Sequence, residues 1–105
     1  MSIYTDFFNF IMRYGEKVGI YPGLVSDKLL IKYKDYLIQI DNEPFDERDL
    51  IVSIINTKSS ELVYISPRAA NSAAMYGVSH LFPISKSSSK ILEDLLEKWR
   101  REVNE

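Results

Sequence analysis

The chain predicts an α+β fold: an N-terminal helix, a four-stranded antiparallel sheet made of two hairpins, then two helices, with either a short fifth strand or an ordered loop between those helices. Three observations carry this expectation. Apolar residues recur at three- and four-residue steps near both ends of the chain. Between them lie two segments in which apolar residues alternate with polar ones, as strands with one covered face require. Gly, Pro and Ser clusters separate these segments and leave no linker long enough to divide the molecule, so residues 1–105 are read as a single domain.

Residues 3 to 18 read as the first helix, because Ile3, Phe7, Phe10, Ile11, Tyr14 and Val18 fall on one side. Ser2 is suited to cap it, and Asp6 places a negative charge near the positive end of the helix dipole. Gly15, Gly19 and Pro22-Gly23 bring it to an end. From Asp27 to Asp41 a turn at Lys34-Asp35 sets Tyr33 against Tyr36, Ile31 against Ile38 and Leu29 against Ile40 on one face. Lys28, Leu30, Lys32, Leu37, Gln39 and Asp41 then occupy the other face.

A second hairpin runs over Leu50 to Asn56 and Glu61 to Ser66 around the turn Thr57 to Ser60. Pairing Ile54 with Val63 and Val52 with Ile65 gives an aliphatic face, and leaves Ile51, Ser53, Ile55, Leu62 and Tyr64 on a mixed one. Pro67 is suited to the first turn of a helix ended near Gly77, and HLFPIS at 80–85 is the strand or loop. The final helix, 89 to 103, turns Leu92, Leu95, Leu96, Trp99 and Val103 inward, with acids early and bases late. This order of elements, without any shared motif, is loosely similar to that of small secretion-chaperone-like α+β domains.

Composition narrows the function classes. A net charge of −2 over 105 residues argues against a dedicated duplex-DNA or anionic-membrane binder. The absence of cysteine removes disulfides, thiolate zinc sites and a cysteine nucleophile. MSIYTDFFNF lacks the basic start and small-residue cleavage site of a signal peptide, so the cytoplasm is the expected location. No stretch is apolar enough to span a membrane, and no cofactor is implied.

The strongest functional signal is that Ala69 to Ser85 carries no Asp, Glu, Lys or Arg. Ala69, Ala70, Ala73 and Ala74 form a small-residue strip, with Tyr76, Phe82 and Trp99 as larger apolar neighbours. The expectation is therefore an interaction module more than an enzyme: an accessory or regulatory subunit acting as a homodimer or in a complex. Within one chain, the same strip is also where the last helix would pack.

The alternative is a nucleic-acid-binding accessory protein using Lys28, Lys32, Lys34, Arg100 and Arg101, with Tyr33 and Tyr36 as stacking rings. The hairpin register weighs against it, because both tyrosines fall opposite Lys28 and Lys32. A small hydrolase around the lone His80, or a carboxylate metal site in the acidic loop Asp41, Glu43, Asp46, Glu47 and Asp49, comes third. Neither has the spacing its chemistry needs, and the four glycines match no phosphate-binding loop. Arg68, just after a strand, is suited to an anion but more simply to a carbonyl or a nearby acid.

Overall fold

The computed structural model describes residues 3–21, 28–41, 51–70, 77 and 84–103. Helix α1 spans Ile3–Tyr14, followed by strands β1 (Glu16–Tyr21), β2 (Lys28–Tyr33), β3 (Tyr36–Asp41), β4 (Val52–Asn56) and β5 (Glu61–Ile65). A helical turn begins at Pro67, a 3-10 turn occupies Ile84–Lys86, and helix α2 spans Ser89–Glu102. The strands form an antiparallel sheet in the order β1-β2-β3-β4-β5, so the α+β class is as expected.

The fifth strand, however, lies at the N-terminal end of the sheet. The first helix stops at Tyr14, and the residues expected to continue it are β1. The cause is local and steric. Gly15 donates its N–H to the Ile11 carbonyl at 2.8 Å, and a Cβ on it would sit 2.4 Å from Ile31 Cγ2 and 2.5 Å from the Ile11 oxygen. Only glycine lets the end of α1 approach β2 this closely, and the chain then leaves as Glu-Lys-Val-Gly-Ile-Tyr, whose branched and aromatic residues favour strand. Of the 80–85 segment, residues 80–83 lie outside the described residues, and Ile84 and Ser85 belong to the 3-10 turn.

The β2–β3 hairpin has the register read from its pattern, with Tyr33 opposite Tyr36, Ile31 opposite Ile38 and Leu29 opposite Ile40. Lys34 closes it at a left-handed φ of 51°. The second hairpin departs from expectation. Ile54 pairs with Tyr64 and Ile55 with Leu62, so Val63 is the extra residue of a bulge. The one-residue offset sends Tyr64 to the core face and Ile65 to the outer one opposite Ser53. Tyr64 gains a core partner by it, since its hydroxyl lies 3.0 Å from that of Tyr4 on α1.

Both helices cover the same face of the sheet. Phe7, Phe10 and Ile11 of α1 and Leu92, Leu95, Leu96 and Trp99 of α2 close over Leu29, Ile31, Tyr33, Ile38, Ile40, Val52, Ile54 and Tyr64. Trp99 is 0% exposed, with ring centroids of Tyr33, Tyr36, Phe7 and Phe10 at 4.9, 5.1, 5.9 and 6.0 Å. Such ring pairs add about 0.5–1.5 kcal/mol each beyond the area they bury. Ser88 caps α2 by accepting from the Lys90 N–H at 3.2 Å. At the far end of β5, Ser66 is buried; its hydroxyl accepts the Val52 N–H at 3.1 Å, and its carbonyl accepts the Ala70 N–H at 3.0 Å. It thereby ties strand β4 to the helical turn that Pro67 opens.

Candidate interaction surface

The outer face of the sheet carries a row that crosses all five strands. Successive pairings link Glu16 to Lys32, Lys32 to Leu37, Leu37 to Ile55 and Ile55 to Leu62. The next row runs Gly19, Leu30, Gln39, Ser53, Ile65. Three adjacent aliphatic residues, Leu37, Ile55 and Leu62, thus stand together on this side, and Ile55 is 38% exposed. A sheet face with one fully covered side and charges on the other needs no such group there.

The two rows end at Glu16 and Gly19 of β1, an edge strand whose Ile20, opposite Leu29, lies toward the helix-covered side. Val18 and Ile20 are 48% and 47% exposed, the largest aliphatic exposures in the described strands. Val18 is the extra residue of a second bulge, between Lys17 and Gly19. Gly19 stands between the two with nothing within 4 Å of where its Cβ would be and no left-handed φ. Phe8 and Met12, one turn apart on α1, are also exposed.

Charged groups gather elsewhere. Asp6, Asn9 and Arg13 of α1 and Arg100 of α2 line a shallow groove between the helices, floored by Phe10 and Tyr14. The Arg13 guanidinium lies 5.2 Å from the centre of the Tyr14 ring. At the hairpin end, Lys34 pairs with Glu102, whose carboxylate raises the ammonium pKa above its ordinary value. Asp94 does the same for Lys90 at 3.1 Å. Burial first, and then the Tyr4 hydroxyl, push the Tyr64 phenol well above the usual tyrosine range. Among the described residues no three His, Asp or Glu side chains converge as metal ligands.

The residues singled out from the sequence separate into different places. Trp99, expected at an interface, is in the core of the chain itself, which corrects that assignment: the aromatic residues of α1 and β2–β3 already enclose it. Ala70 is buried within the chain and Ala69 half-buried, whereas Ala73, Ala74, Tyr76 and Phe82 lie outside the described residues, as do His80 and Glu43 to Asp49. Lys32 is exposed on the outer sheet face, Lys34 sits in a turn, and Arg100 and Arg101 are on α2 beyond the opposite face. Arg101 pairs with Glu97 at 3.0 Å, and Tyr33 and Tyr36 pack inward on Trp99. These cations and rings are not brought onto one surface; the side chain of Lys28 is outside what is described. Arg68 is exposed.

Ile55 is on the mixed face that the sequence assigns it, whereas Val18 and Ile20 are not legible there as surface groups. The signal for these two was the alternation Val-Gly-Ile-Tyr within β-favouring residues, which competed with a helical period that Val18 also satisfies. No described helix is long and apolar enough to cross a membrane. No protein-family model, curated protein or solved structure matches this chain, and the likeness of element order to secretion-chaperone-like domains gains no support from that quarter.

Proposed function

We propose that the chain is a non-enzymatic protein-interaction module, an accessory or regulatory subunit that acts as a homodimer or within a complex. The observation that carries this reading is aliphatic surface on the sheet: Leu37, Ile55 and Leu62 adjoin on its outer face, and Val18 and Ile20 are exposed on the edge strand β1. Apolar groups in contact on a sheet face, rather than scattered singly, are what a partner buries.

The test is purification of the tagged chain from its native cells under mild salt, followed by mass determination. A complex of fixed stoichiometry, with itself or with another protein, is expected, and Ile55→Lys should dissolve or weaken it. Recovery of the chain alone as a monomer overturns the reading.

A further inference from the structure

We draw no further inference here: the strongest candidate, the aliphatic patch of Leu37, Ile55 and Leu62 on the outer face of the sheet with Val18 and Ile20 along the β1 edge, belongs to the surface already described, and nothing in the structure shows what covers it.

Discussion

The two sides of this sheet obey different rules. On the covered side Leu29, Ile31, Tyr33, Ile38, Ile40, Val52, Ile54 and Tyr64 meet the apolar faces of the helices, and Trp99 sits where five aromatic residues from three segments meet. On the other side Leu37, Ile55 and Leu62 are partly exposed beside a buried Ile65, and along the β1 edge Val18 and Ile20 are half-exposed. The first is a surface completed within the chain. The second has the composition of a contact and, among the described residues, no helix over it. The contrast teaches that a large aromatic residue on an amphipathic helix, such as Trp99, is explained by the chain's own core, whereas the exposed aliphatic groups of β1 and of the outer face are not.

The largest expected effect falls on the covered side. Trp99→Ala removes the ring on which four others pack and should cost about 3–5 kcal/mol, a large share of the roughly 5–15 kcal/mol available to a chain of this size. Urea unfolding followed by circular dichroism measures it; a loss under about 1 kcal/mol would mean that the aromatic cluster does not hold the helices to the sheet.

A smaller effect separates the two glycines. Gly15→Ala forces a methyl group into Ile31 and the Ile11 carbonyl and should destabilise by about 1–3 kcal/mol, with α1 displaced from β2. Gly19→Ala should leave monomer stability within about 0.5 kcal/mol, as for an ordinary surface position. Equal effects at the two sites would mean that the close approach of Gly15 to Ile31 does not constrain the end of α1.

The third prediction concerns pH. Because the folded-state pKa of Tyr64 is raised, chiefly by burial, above that of the unfolded chain, the stability linked to its proton is fully present below the unfolded value of about 10. It is lost as pH climbs from there toward the folded pKa. Urea midpoints should therefore fall more steeply above about pH 10 for the unmodified protein than for Tyr64→Phe. Parallel curves would place the phenol in water, and with it the hydrogen bond to Tyr4.

Much of the covered side was legible beforehand. The alternation in Leu29 to Ile40 allows one register, since a slip by one residue would expose six apolar side chains, and the helical spacing of Leu92, Leu95, Leu96 and Trp99 admits one inward face. The β1 edge was not legible, because Val18 satisfies both a helical step from Tyr14 and a strand alternation with Ile20. Nothing in the residue order weighs the close approach of Gly15 to Ile31, which decides between them. The bulge at Val63 was hidden for a similar reason: Val63 and Tyr64 are both acceptable core residues, and only the distance to Tyr4 selects the tyrosine.

By itself, then, the sequence determined the class of fold, the β2–β3 register and the inward faces of both helices, because periodic burial of apolar groups is a local property of the chain. Tertiary structure alone decided where α1 ends, which residue of β5 is extruded, that Trp99 is enclosed within the chain, and that Val18, Gly19 and Ile20 form an edge. Each of those depends on how closely two segments distant in the chain can approach, and steric fit between such segments is not written in the spacing of either one.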